Sequence, residues 1–160
     1  MTQIKYIIAA ILCLLSINCP AQRMLSEVAS MKGVSSVYIG KTMLKLAGGA
    51  SMSITGNKSS IDLSKLFKDL TSIEVISCED RGVAEKVEKK CKSILSRYPM
   101  EVLSETSSDG QNVQISGVFD KDGRNLETLL IAVTGKNEAS FILLKGKIDI
   151  VTLNNAILVD

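Results

Sequence analysis

The run ETLLIAVTGKNEASFILLK, residues 127–145, decides the fold. Residues 127–134 and 139–145 are two short, strand-like segments around Gly135-Lys136-Asn137. Leu129 to Val133 and Phe141 to Leu144 are apolar without a break. Neither segment keeps a solvated face, so both belong in the middle of a sheet that is covered on both sides. Two further strand-like segments precede them, residues 100–105 and 112–119. The connections carry Asp109-Gly110 and Asp122-Gly123. These are hairpin signals, because Gly and Asn accept positive φ cheaply. The second half of the chain is therefore predicted to be a meander of four strands.

The first half reads differently. Residues 24–31 predict a short helix with Leu25, Val28 and Met31 on one side, and Gly33 is placed to cap it. Residues 34–40 alternate into a strand, Val37 and Ile39 against Ser36 and Tyr38. Residues 41–47 read as one or two helical turns, and residues 48–60 as a loop rich in Gly, Ser, Thr and Asn. Asp62 is set to cap a helix carrying Leu63, Leu66, Phe67 and Leu70, with Ile61 as a staple on Leu66. Residues 72–78 form a strand with Ile73, Val75 and Ile76. Asp80 then caps the strongest helix, whose stripe is Val83, Val87, Cys91, Ile94, Leu95 and Tyr98, and Pro99 stops it. Asp149 opens a closing helix with Ile150, Leu153 and Ile157. The order α-β-α-β-α-β-β-β-β-α predicts an α+β fold: a largely antiparallel sheet, with a mixed one as the alternative, and helices packed on one face.

The start of the chain gives an address. Lys5 precedes an apolar run from Ile7 to Ile17, and Cys19-Pro20-Ala21-Gln22 follows. The run is too short for a membrane span and ends in small residues, so residues 1–21 read as a secretory signal peptide and residues 22–160 as one domain. The protein is expected to be exported, periplasmic or extracellular. The alternative reading makes Cys19 a lipidated cysteine, which would anchor the chain to a membrane. Ser16 and Asn18 stand where a lipoprotein signal has a leucine-like and a small residue, which favours cleavage after Ala21.

Composition excludes several classes of function. The chain has 19 basic and 17 acidic residues, and Lys5 is the single charge in the leader. The remaining chain is near neutral, without the basic stripe of a nucleic-acid binder. The cluster Lys86, Lys89, Lys90 and Lys92 is interleaved with Glu85 and Glu88 and reads as a solvated helix face. Histidine is absent, which removes Ser-His-Asp and Cys-His nucleophile systems and histidine-ligated metals. Tryptophan is absent too, so stacking platforms are poorly supplied. Cys78 and Cys91 remain after the leader. One ends a strand and the other lies about 16 Å along the next helix, beyond the reach of a disulfide. Buried free thiols are expected.

Gly56-Asn57-Lys58-Ser59 has the residue types of a phosphate loop with the wrong spacing, and reads as a flexible loop. Asp120-Lys121-Asp122-Gly123-Arg124-Asn125 offers oxygen ligands but lacks the glycine and glutamate positions of a calcium loop, and reads as a hairpin turn. Glu79-Asp80 is a carboxylate pair in which Asp80 already serves as a cap. Met43, Leu46, Met52 and Ile54, set among lysines around a glycine-rich loop, are the best candidate partner surface, because methionine adapts to varied partners. Packing of these residues into the core is the alternative. No residue is assigned a catalytic, cofactor-binding or metal-ligating role.

Met31-Lys32-Gly33-Val34-Ser35-Ser36-Val37-Tyr38-Ile39, Lys41-Thr42-Met43-Leu44, Ile73-Glu74-Val75-Ile76-Ser77-Cys78-Glu79 and the closing Phe141-Ile142-Leu143-Leu144-Lys145-Gly146-Lys147-Ile148 carry a resemblance. The chain resembles the exported Bacteroidetes proteins of the domain of unknown function 4252 family over nearly all of residues 22–160. The resemblance implies a small cell-envelope protein and transfers no catalytic residue. The leading expectation is a non-enzymatic envelope domain that binds another protein or a small envelope component, with no cofactor and no nucleic acid. The second is a hydrolase or lyase built on Glu79, Asp80, Asp120 and Asp122, which requires two of them to converge in a pocket. The third is binding of a lipid in an apolar cavity of several hundred Å³ between helices and sheet.

Overall fold

The computed structural model describes residues 23–47, 53–56, 59–62 and 69–151. Their elements are α1 (Ser26–Ala29), β1 (Ser35–Gly40), α2 (Lys41–Ala47), β2 (Ser53–Gly56), β3 (Ser59–Asp62), β4 (Leu70–Cys78), α3 (Arg81–Leu95), β5 (Glu101–Ser108), β6 (Gln111–Phe119), β7 (Asn125–Thr134) and β8 (Ala139–Asp149). Six strands form one sheet in the order β1-β4-β8-β7-β6-β5, antiparallel throughout. The two most apolar strands, β7 and β8, take the centre as their composition requires. The fold is α+β.

Alternation divides the sheet into two faces. On one, Ile76, Cys78, Leu130, Ala132, Phe141 and Leu143 pack with Leu25 and Val28 of the α1 region and with Ala84, Val87, Cys91, Ile94 and Leu95 of α3. On the other, Ile73, Leu129, Leu144 and Ile148 pack with Leu44 of α2. The first is the helix face. It owes its cover to α3, whose start is fixed by Asp80: the carboxylate accepts the Val83 N–H at 3.0 Å. Each large aliphatic side chain that α3 buries contributes about 1.5–3 kcal/mol.

Several expectations need correction. α3 ends at Leu95, so Tyr98 lies beyond the helix and is exposed rather than part of its stripe. The Gly-rich stretch before Asp62 is not all loop. β2 and β3 pair as a separate hairpin, Ile54 opposite Ile61 and Gly56 opposite Ser59, so the Gly56–Ser59 motif closes a hairpin. The β-branched residues on either side of Gly56-Asn57 are the physical reason. Leu70 lies in β4 rather than in a helix, while residues 63–68 of the expected helix lie outside the described residues. The leader and most of the closing helix also lie outside them. Asp149 does accept the Val151 N–H at 3.0 Å, the bond of a helix start.

The turns follow the expected chemistry at two of three places. Asp109 and Gly110 take φ of 51° and 80° between β5 and β6, and Gly123 takes 67° between β6 and β7. The β7–β8 turn, closed by the Gly135 N–H on the Glu138 carbonyl at 2.9 Å, uses no positive φ.

Candidate functional site

Cross-strand registers order the helix face into rows. Ile76, Phe141 and Ala132 are neighbours across β4, β8 and β7; Glu74, Leu143, Leu130 and Ser116 form the next row; Ser72, Lys145, Thr128 and Val118 form the third. The first row is apolar and lies under α3. The other two contain Glu74, Ser116 and Thr128, the buried polar residues among those described. Polarity thus rises along one face toward the end of the sheet that α3 does not cover.

At that end the sheet is bent. Gly146 has φ +140°, and a side chain there would meet the Asp69 carbonyl oxygen and lie 2.6 Å from Leu70 Cα. The Asp69 carbonyl accepts the Lys147 N–H at 3.0 Å. The register of β8 shifts against both neighbours here, between Leu70 and Ser72 on one side and Leu126 and Thr128 on the other. A bulge of this kind bends strands and re-aims side chains. It opens a groove of about 850 Å³, within the range of small-molecule sites. Lys145, Thr128 and Val118 form its floor, and Met24, Tyr98 and Pro99 one wall. Asp69, Glu127 and Lys147 stand around it.

A buried carboxylate ties down the wall. Glu74, 3 % exposed, accepts the Leu25 N–H at 3.3 Å and faces Arg23 Nε at 3.3 Å. The ion pair lacks hydrogen-bond geometry at Nε and Oε1. The Arg23 guanidinium lies over the Tyr38 ring, 4.8 Å from its centre. These contacts hold residues 23–25 against β4 and β1, and so place Met24.

The sequence-derived candidates are dispersed. On α2, Met43 and Leu46 are 60 % and 73 % exposed, whereas Leu44 between them is buried. Ile54 lies in β2 and Met52 outside the described residues. Glu79 and Asp80 follow β4 at one end of the sheet, while Asp120 and Asp122 connect β6 to β7 at the other. β7 alone separates these ends by roughly 30 Å. Asp80 is occupied as a cap. Asp120 accepts the Arg124 N–H at 2.9 Å and the Asn125 side-chain amide at 2.8 Å. That amide, with backbone N–H groups, holds its carboxyl below the usual aspartate value. Glu79 shares a hollow of about 510 Å³ with Asp109, Lys136 and Glu138, where Glu138 accepts from the Gln111 amide. The four candidates do not converge.

The thiols are free and buried. Burial pushes Cys91 up to about 12, and burial also raises Cys78, which donates to the Ala139 carbonyl at 3.7 Å. Neither has the thiolate character of a nucleophile. The lysine cluster is solvated as expected: Lys92 pairs with Glu88 at 2.6 Å within α3, and Lys90 with Glu27 of α1 at 2.8 Å.

Residues 28–156 match the family model described as domain of unknown function (DUF4252). The chain belongs to the DUF4252 family. No curated protein matches it. The DUF4252 match spans α2 and nearly all of the groove, from the Tyr98 wall to the Gly146 bulge. Among the described residues, no helix is long and apolar enough to cross a membrane, and no three His, Cys, Asp or Glu side chains gather to hold a metal ion. Sequence reasoning missed Lys145, Thr128 and Tyr98 as site residues. The available signal was period: Lys145 falls in step with Leu143 and Phe141, and so on the helix face.

Proposed function

We propose that this DUF4252 domain is an exported, non-enzymatic binding module that docks an envelope protein through α2. The observation that carries the reading is the exposure of Met43 and Leu46 on either side of buried Leu44. Leu44 anchors the helix, which leaves its two neighbours as a presented apolar pair. Val37, 54 % exposed, adds to this side from β1, at the edge of the sheet. Export rests on the leader, residues 1–21. The dispersal of the four carboxylates and the two inert thiols favour binding over catalysis.

The experiment places a photo-crosslinking residue at Leu46 and, separately, at Lys121 in the full chain in its native envelope. One protein joined at position 46 and not at 121, and lost with Met43→Asp, is the expected result. Equal capture at both positions, or none at 46, contradicts the reading. Mass spectra of the captured protein also give the start of the chain, expected at Gln22; a lipidated Cys19 would replace a free module with an anchored one.

A further inference from the structure

We propose that the groove over Lys145 binds a single-chain amphiphile bearing one carboxylate, with the headgroup on Lys145 and the alkyl chain along Met24, Tyr98 and Pro99. This site lies on the helix face and is independent of the α2 surface. Lys145 is half-buried in the middle of the sheet, flanked across the strands by Ser72 and Thr128. Among the described residues it has no ion-pair partner. A cation there offers an incoming anion a charge-assisted hydrogen bond in surroundings drier than bulk water. Thr71 and Thr128 line the same groove and supply hydroxyl groups beside it.

The remaining lining sets the rest of the ligand. Met24, Pro99, Val118 and the ring of Tyr98 give the groove an apolar side. Small-molecule sites are commonly of this make, apolar walls with a few placed polar groups. Charge then selects the headgroup. Asp69, Glu127 and the exposed Lys147 stand at the rim, and Asp120 is already engaged by Asn125. One half-buried cation, at a rim where the carboxylates outnumber the second lysine, suits a monoanion and opposes a dianion such as a phosphate monoester. The observations converge on a carboxylate with a hydrocarbon tail.

The test uses protein produced from the full coding chain, with octanoate, 1-octanol, acetate and octyl phosphate as probes in calorimetric titrations. Octanoate is expected to saturate one site. Octanol and acetate are expected to bind at least tenfold more weakly, and octyl phosphate more weakly than octanoate. Lys145→Gln should lower octanoate affinity at least tenfold and leave octanol unchanged, while Lys145→Arg stays within about threefold of the unchanged protein. Tyr98→Ala should weaken octanoate and octanol together. Should Lys145→Gln fail to fold, Tyr98→Ala and the octanoate-to-octanol ratio decide. Absent saturation, equal binding of octanoate and octanol, or indifference to Lys145→Gln overturns the proposal.

Discussion

Phe141 and Lys145 lie four residues apart on the same strand and the same face, in opposite surroundings. Phe141 is 2 % exposed beneath α3, among Ile76, Ala132 and the helix stripe. Lys145 is half-buried, beyond the cover of α3, in a row with Ser72 and Thr128. The face is one continuous pleat until Gly146 bends it. A helix of 15 residues spans about 22 Å, less than the sheet beneath it. The uncovered remainder must therefore carry polar side chains or expose apolar ones. The chain takes the first course on the floor of the groove and places Met24, Tyr98 and Pro99 at its side.

The largest test of this contrast is a pair of truncations. Phe141→Ala should cost about 3–5 kcal/mol, because it empties a site that α3 and the sheet enclose. Tyr98→Ala, at the open end, should cost under about 0.5 kcal/mol. Denaturant unfolding measures both, and similar losses would erase the distinction. Next is the bend itself. Gly146→Ala should cost about 2–4 kcal/mol, from backbone strain at positive φ and the clash with residues 69–71. A wild-type midpoint for this variant would show that the bulge is not required.

A smaller effect is expected where the groove wall is tied down. Arg23→Ala leaves Glu74 buried with the Leu25 N–H as its remaining bond. Because Arg23 is partly exposed, the loss is discounted from that of a fully buried pair to about 1–3 kcal/mol. Amide exchange should rise at Leu25 and Val28 and stay unchanged in β6. The smallest effect belongs to the β6–β7 turn. The Asp120 carboxyl is depressed by its hydrogen bonds, so its stabilisation is fully present above the unfolded value near 3.8 and fades as pH falls through the lower folded value. Asp120→Asn should remove that part of the acid dependence and, with it, a correspondingly small part of the stability at pH 7; an unaltered acid profile would contradict the assignment.

The covered end was legible in the sequence and the open end was not. Unbroken apolar runs at Leu129–Val133 and Phe141–Leu144 admit little but central strands, and Asp80 with its stripe admits little but a packed helix. Both are local patterns. The groove is made by a register shift shared by three strands at Gly146, and nothing local in Lys145-Gly146-Lys147 announces it. Tyr98 continues the period of α3 on paper, yet the helix stops three residues earlier. The β2–β3 hairpin was hidden for a third reason: Gly, Ser and Asn around Ile54 and Ile61 weigh toward loop until the two isoleucines are seen to pair. At the candidate partner surface, Met43 and Leu46 stand apart from the core, a distinction set by how α2 seats Leu44.

The most direct measurement is a map of backbone amide shifts on adding octanoate to the isotope-labelled protein. The account predicts changes at Thr71, Tyr98, Thr128, Lys145 and Gly146, with the amides of Ile76, Phe141 and Ala132 unmoved. Changes spread under α3, or confined to α2, would contradict a face divided into a covered core and an open site.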